Sequence, residues 1–194
     1  MSGILFDLGK RGMRTRESIY VPLGYSVEYV RPQKYKGTSE KKEMCRASKD
    51  GQNFYVFHDP GWYTKIMEIQ DSIPHMAKFS MPAQGHILLS AAPGVLMSDL
   101  DEIQGIDGIE RQLLEFADAG QKHRLVHGDI RQWNVLLDSS TGGITVIDWN
   151  LSRFGESKVD FEDIAKLVKL LKGEIGFHEA WNWKAHDLPK WCKP

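Results

Sequence analysis

The chain has 194 residues, a length that suits one domain or two small lobes that share a cleft. Hydrophobic residues make up 41% and charged residues 26%, which is typical of a globular protein and excludes a disordered one. The formal net charge of -1 gives the chain no overall attraction to nucleic acid or to an anionic membrane.

The first half of the chain predicts a small antiparallel sheet with one helix. Residues 1–24 are rich in Gly and Arg and show no period, so we expect a lead-in segment there. Asp50-Gly51 lies between two β-prone runs, which is a strong hairpin signal. Apolar residues spaced by three and four predict a helix from Trp62 to about Ser72. The predicted strands cover residues 26–30, 44–49, 53–57, 77–80 and 86–90.

The second half predicts two amphipathic helices on either side of a polar segment. A linker at residues 91–94 comes first. Apolar residues from Ile109 to Ala117 recur at helical spacing, and so do those from Phe161 to Leu171.

Five polar residues lie between short apolar runs in this polar segment. Phosphoryl transfer needs a carboxylate beside the attacking hydroxyl, a cation for the phosphate and hard oxygen ligands for magnesium. The residues that offer these groups are His127, Asp129, Arg131, Asn134 and Asp148.

Two short motifs carry a resemblance to the protein-kinase-like superfamily over residues 25–172. They are His-Gly-Asp, which ends at Asp129 and is followed five residues later by Asn134, and Ile-Asp-Trp around Asp148. His-Gly-Asp is similar to the motif of aminoglycoside and choline kinases and of the small kinase of the KEOPS complex. Most regulatory protein kinases read His-Arg-Asp and Asp-Phe-Gly instead. The chain therefore resembles a minimal, atypical kinase.

The resemblance implies an α+β, bilobal protein-kinase-like fold, with ATP and Mg²⁺ as cofactors. It places a small antiparallel-sheet N-lobe at residues 25–90 and a hinge at residues 91–94. Residues 95–194 would form a reduced, mainly helical C-lobe that ends in a Trp-rich tail.

The resemblance also implies a role for each polar residue. Asp129 would be the base or orienting group, and Arg131 stands where protein kinases place a Lys against the γ-phosphate. Asn134 and Asp148 would bind magnesium. We expect His127 to be a structural residue that braces the loop.

The strand and linker at residues 87–94 resemble the segment on which kinases bind adenine. Leu89 falls at the gatekeeper position. Main-chain groups near Ser90 and Ala92 would then pair with the adenine edge, which requires no particular side chain.

The first lobe departs from the kinase pattern at the phosphate loop, because no Gly-x-Gly-x-x-Gly occurs there. If the Asp50-Gly51 hairpin joins the second and third strands, the phosphate loop covers residues 32–38. Only Gly37 then provides backbone freedom.

The same register puts His58 where kinases carry their phosphate-binding Lys. Lys65, Lys34 or Lys36 could supply the cation instead, and Glu68 on the predicted helix could pair with it. For Lys65 and Glu68, an ordinary surface pair at i, i+3 is the alternative interpretation.

The second lobe has room for only eleven residues, 149–159, between Asp148 and the last predicted helix. A long phosphorylatable activation segment does not fit there. We expect Asp160 or Asp163 to cap that helix, and bracing of the catalytic loop is the alternative.

These features together predict transfer of the γ-phosphoryl group of ATP to a hydroxyl, on a protein rather than on a small molecule. A pseudokinase that binds a partner is the first alternative, and a small-molecule kinase is the second. Nucleic acid and membranes are not expected partners. The two cysteines are far apart, and no apolar run approaches the roughly 20 residues that span a bilayer. We therefore expect the protein to act in the cytoplasm, and this place of action would be the same for a secreted effector.

Overall fold

The computed structural model divides the chain into two compact units. The first consists of Met1–Glu68 and Lys78–Ala91, and the second of Ile69–Ala77 and Ala92–Pro194. The described residues are 3–7, 18–22, 26–29, 45–50, 52–58, 62–83, 86–90 and 92–181.

The first unit contains a two-stranded hairpin and a five-stranded antiparallel sheet. The sheet runs in the order β3-β4-β5-β7-β6, and the hairpin pairs β1 with β2. The elements are β1 (Gly3–Asp7), β2 (Ser18–Pro22), β3 (Ser26–Tyr29), β4 (Cys45–Lys49), β5 (Gln52–His58), α1 (Trp62–Ile69), β6 (Phe79–Ala83) and β7 (His86–Ser90).

The three consecutive antiparallel strands predicted between residues 25 and 58 are confirmed as β3, β4 and β5. Lys49 pairs with Gln52 across the turn, and Asp50 has a φ of 52°, the left-handed conformation that tight hairpin turns require. The Asp50-Gly51 hairpin therefore joins the second and third strands of this sheet.

The first unit differs from the sequence interpretation in two places. The lead-in segment expected at residues 1–24 contains a hairpin, in which Gly3–Asp7 pairs with Ser18–Pro22. Neither strand alternates apolar and polar residues, so the sequence gives no strand period there and pairing with a partner decides it. The strand predicted at residues 77–80 lies at Phe79–Ala83, because Pro82 is tolerated on β6, which ends the sheet order.

The second unit combines helices with two small antiparallel sheets. Their strand orders are β11-β10-β8 and β12-β9. The elements are β8 (Val95–Leu96), α2 (Ile106–Lys122), β9 (Leu125–Val126), β10 (Val135–Asp138), β11 (Gly143–Val146), β12 (Arg153–Phe154), α3 (Val159–Leu171) and α4 (Phe177–Trp181). Single 3-10 turns cover Gln70–Ser72, Met97–Asp99 and Trp149–Leu151.

Residues 69–77 belong to this unit because their main chain binds β11. Ala77 N donates to Val146 O at 3.2 Å, and Val146 N donates to His75 O at 2.7 Å. The sequence interpretation had kept residues 25–90 together.

The core of the second unit lies between α2 and α3, the two predicted amphipathic helices, which are both confirmed. Buried side chains include Ile109 and Leu113 from α2 and Ile164 and Leu167 from α3. Each large aliphatic side chain stabilises the fold by about 1.5–3 kcal/mol when fully buried. Among the described residues, no helix is both long enough and apolar enough to cross a membrane.

Candidate active site

Three of the predicted site residues meet in the loop between β9 and β10. Asn134 Nδ2 donates to Asp129 Oδ2 at 2.9 Å and to Asp129 O at 2.8 Å. Arg131 Nε lies 2.5 Å from Asp129 Oδ1. This second contact is a close ion pair outside regular hydrogen-bond geometry, because neither buried atom has a hydrogen-bond partner among the described residues. A carboxylate, a guanidinium and an amide are thus held in one loop.

The hairpin of β10 and β11 brings Asp148 to the same end as Asn134. Val135 pairs with Val146, and Ile147 N donates to Asn134 O at 2.9 Å. Asp148 follows directly, with a φ of 62° that turns the chain away from the strand. Because Asn134 donates through Nδ2, its Oδ1 is the atom left for a cation.

His127 is a structural residue in this loop, as expected. It is 1% exposed, and its ring packs edge-on against Trp149. Nδ1 accepts from Asp129 N, and Nε2 lies 2.9 Å from Ile147 O, which corresponds to a neutral ring with its hydrogen on Nε2. Burial lowers the pKa of His127, and the nearby charge of Asp160 opposes this only in part.

Asp160 braces the loop and does not cap α3, so the expectation of capping is wrong for this residue. Its Oδ2 accepts from His127 N and its Oδ1 from Gly128 N, both at 2.8 Å. The N-cap position of α3 is Lys158, with no side-chain cap. Asp163 is also buried in α3, and burial raises its pKa.

Gly128 has a conformation and surroundings that exclude a side chain. Its φ is +82°, and a Cβ there would lie 2.9 Å from Leu151 O. Real Cβ atoms essentially never come that close to a main-chain oxygen. The middle residue of His-Gly-Asp is therefore Gly for a steric reason.

Comparison with protein-family models matches residues 73–174 to APH, the phosphotransferase enzyme family. The match covers just over half of the chain and includes the loop, Asp148 and both aspartates of α3. The chain belongs to the phosphotransferase enzyme family. Comparison with curated proteins gives no significant match.

Among solved structures, the chain is similar to PK-1, the kinase of Cydia pomonella Granulovirus. The identity is 18% and the TM-score is 0.42. The match covers 66% of this chain and 52% of the viral protein, so it spans about half of that protein's length.

Membership of the phosphotransferase family confirms the predicted relation to the protein-kinase-like superfamily and its atypical kinases. The combination of helices with antiparallel sheets agrees with the predicted α+β class.

The oxygen atoms of Asn134 and Asp148 suit Mg²⁺, which prefers hard oxygen ligands. Within the described part of the chain, no three His, Cys, Asp or Glu residues cluster as a self-contained metal site. Such a cluster is not required here, because Mg²⁺ at nucleotide sites takes one or two carboxylates and completes its shell with phosphate and water.

The residues predicted to bind adenine lie at the end of β7 and just after it. Leu89 and Ser90 are half-buried in the first unit, and Ala92 is half-buried in the second. Ser90 N donates to Lys78 O at 2.8 Å. A main-chain contact to adenine at Ser90 would therefore use its carbonyl group.

The residues predicted to contact the phosphates from the first unit are not brought together as a charged pair. Lys65 and Glu68 are both exposed on α1, and the structure shows no ion pair between them. His58 ends β5, where it stands opposite His86 of β7. Gly37 lies outside the described residues, and so do Lys34 and Lys36.

The sequence interpretation missed the contribution of α4 to this site. The Arg131 guanidinium carbon lies 5.1 Å from the centre of the Trp181 ring. Phe177 meets Trp133 of the same loop edge-on, with 5.7 Å between ring centres. The Trp-rich tail was the available signal, but composition alone does not say which ring meets which residue.

Proposed function

We propose that this chain transfers the γ-phosphoryl group of ATP to a hydroxyl group, with Mg²⁺ as cofactor. The contact of Asp129 with both Arg131 and Asn134 is the observation that supports this most directly. It holds in one loop the carboxylate, the guanidinium and the amide that we propose as base, phosphate-binding cation and magnesium ligand, in a chain of the phosphotransferase family.

In the proposed reaction, Asp129 accepts the proton of the acceptor hydroxyl while that oxygen attacks the γ-phosphorus. The bond from the γ-phosphorus to the bridging oxygen breaks, and its electron pair leaves with ADP. Arg131 offers in-plane N–H donors to the transferring group, whose charge spreads over three oxygens. Asn134 orients Asp129 through the bond to Oδ2. Mg²⁺ bound by Asn134 and Asp148 would neutralise charge on the β- and γ-phosphates.

We propose a protein as the acceptor. Only ten residues, 149–158, separate Asp148 from the start of α3 at Val159, and the described part of the second unit contains only α2, α3 and α4 as α-helices. Small-molecule kinases commonly build their acceptor pocket from additional helices in this lobe. A protein acceptor brings its own surface and needs no such pocket.

A phosphotransfer assay tests the proposal. Purified protein, ATP labelled in the γ-phosphate and Mg²⁺ are incubated with lysate proteins and, separately, with small hydroxyl compounds. We expect labelled protein, and a loss of at least about 100-fold in Asp129→Ala and in Asp148→Ala. Asp118→Ala, at an exposed position of α2, is the matched control and should retain the rate. Unchanged rates in both site variants would refute the phosphotransferase assignment. Labelling of the small compounds instead of the lysate proteins would refute the protein acceptor.

A partner-binding pseudokinase is the second candidate function, because the sequence resemblance predicts His58 at the position where kinases carry the phosphate-binding Lys. Thermal unfolding with and without ATP and Mg²⁺ separates the two. Nucleotide at 100 times its Kd stabilises a binding protein by about 2.7 kcal/mol. No shift over a wide nucleotide range would favour the pseudokinase.

A further inference from the structure

We propose that Trp181 of α4 is a positioning residue that holds Arg131 in place for contact with phosphate. This inference rests on the proposed function, because it concerns the same phosphotransfer site. Trp181 is 8% exposed, and the Arg131 guanidinium carbon lies 5.1 Å from the centre of its ring. A cation within about 6 Å of an indole centre is attracted by the electron-rich face of the ring.

Contact with an aromatic face suits an arginine that must bind phosphate. The donors of a guanidinium lie in its plane, and a contact of its carbon with an aromatic ring leaves them available for hydrogen bonds to phosphate oxygens. Arg131 meets Asp129 only through Nε, and its two Nη atoms form no hydrogen bond with any described residue. Trp181 thus restrains the side chain without neutralising its charge and without using the donors that a phosphate needs.

The indole nitrogen supports the same interpretation. Trp181 Nε1 is buried and has no hydrogen-bond partner in the described part of the chain. A buried indole usually satisfies this N–H group. In the described part of the chain, the Trp181 ring therefore makes its contacts through its aromatic face and its size, and these are the properties that can restrain a guanidinium group.

The helix that carries Trp181 is itself attached to the catalytic loop. Phe177, which is buried, meets Trp133 at an interplanar angle of 88°. A five-residue helix is too short to be stable alone, so packing contacts of this kind determine its position. Arg131 of the loop therefore contacts Trp181 of α4, and Trp133 contacts Phe177. The two α4 residues lie about one helical turn apart.

Without the ring, Arg131 would gain freedom and would pair with Asp129 in more than one way. Fewer molecules would then present the guanidinium to the transferring phosphate. The energy range of a partly buried cation–π contact corresponds to about a 2- to 30-fold change in rate. We expect this change in kcat and a KM for ATP within about twofold of the original value, because the phosphate contact strengthens in the transition state.

The test compares Trp181→Leu, which stays apolar but loses the aromatic face and part of the volume, with Trp181→Phe, which retains a face. We expect kcat to fall in the Leu variant and to be largely retained in the Phe variant. Phe154→Leu makes a similar change at an exposed position outside the site and should leave kcat unchanged. If Trp181→Leu does not fold by circular dichroism, Trp181→Met fills the space in its place.

A second arm separates positioning from general packing. If Trp181 acts through Arg131, then Arg131→Gln and the double variant Arg131→Gln with Trp181→Leu have the same kcat. A further drop in the double variant, or an unchanged kcat in Trp181→Leu, would overturn the inference while leaving the phosphotransferase proposal intact.

A third arm does not depend on activity. Phenylglyoxal modifies exposed guanidinium groups, and peptide mass spectrometry gives the rate at Arg131. We expect faster modification in Trp181→Leu than in the original protein and in Trp181→Phe. If the original protein transfers no phosphate, the proposed function fails, but the modification rate of Arg131 still tests the contact with Trp181. Equal modification rates in all three proteins would refute the restraint.

Discussion

The position of the Asp129 carboxylate depends on its neighbours in and around the loop. Asn134 binds Oδ2, while the main chain on the N-terminal side of Asp129 is held by Asp160. Asp160 accepts two main-chain N–H groups, from residues 127 and 128, and so holds the part of the loop that precedes Asp129. The buried, neutral His127 contacts Asp129 as well, because its Nδ1 accepts from Asp129 N.

Replacing Asp160 tests the brace. In Asp160→Ala the N–H groups of the buried His127 and the half-buried Gly128 lose their acceptors, and each unsatisfied buried donor costs about 1–3 kcal/mol. We expect the free energy of unfolding in a urea titration to fall by about 2–5 kcal/mol, with less loss in Asp160→Asn. Asp118→Ala on the exposed face of α2 should change it by no more than about 0.5 kcal/mol. An equal effect of the Asp160 and Asp118 variants would exclude a brace.

At the scale of elements, the β10–β11 hairpin positions the candidate site, because Asn134 lies just before β10 and Asp148 lies shortly after β11. Its other neighbour is β8, where Val95 pairs with Leu137 and Leu96 with Leu136. The segment just before β8 therefore runs close against β10.

Gly94 lies at this close approach, and its replacement should distort the hairpin. Its φ is +113°, and an added Cβ would lie 2.7 Å from Leu137 O. We expect Gly94→Ala to lower the free energy of unfolding by about 3 kcal/mol or more, because β10 must shift. The matched control is Gly142→Ala, with a φ of +69° and no atom within 4 Å of the added Cβ. That variant should lose only about 1–2 kcal/mol, from backbone strain alone. Equal losses in thermal unfolding would show that the contact with β10 is unimportant.

At the scale of the whole molecule, the buried His127 links stability to pH. Burial lowers its pKa below 6.5, so below that pH the unfolded chain binds a proton that the folded chain does not. Its contribution is therefore complete above pH 6.5 and is lost as the pH falls towards the folded-state pKa. The slope approaches about 1.4 kcal/mol per pH unit over this window.

The variant His127→Gln should remove this part of the pH dependence. We expect the original protein to lose stability between pH 7 and pH 5 more steeply than the variant, in urea titrations at matched ionic strength. All other titrating groups are the same in both proteins, so the difference in slope belongs to His127. Parallel curves would contradict the burial of a neutral ring.

Local sequence carried much of the fold prediction. Helical periodicity located α2 and α3, and Asp50-Gly51 located the β4–β5 turn. Motif spacing also predicted Asp129, Arg131 and Asn134 as site residues, and in the structure Asp129 contacts both of the others. These features act over a few residues, so they remain visible in a linear chain.

Contacts between distant segments decided the remaining features. Asp160 braces a loop 33 residues earlier, and local capping chemistry predicted another role for it. The β1–β2 hairpin and the contact of Trp181 with Arg131 depend likewise on a partner elsewhere in the chain. A carboxylate or an indole has the same local preferences whichever partner it meets. Only packing in three dimensions selects that partner, and with it the surroundings of the proposed catalytic groups.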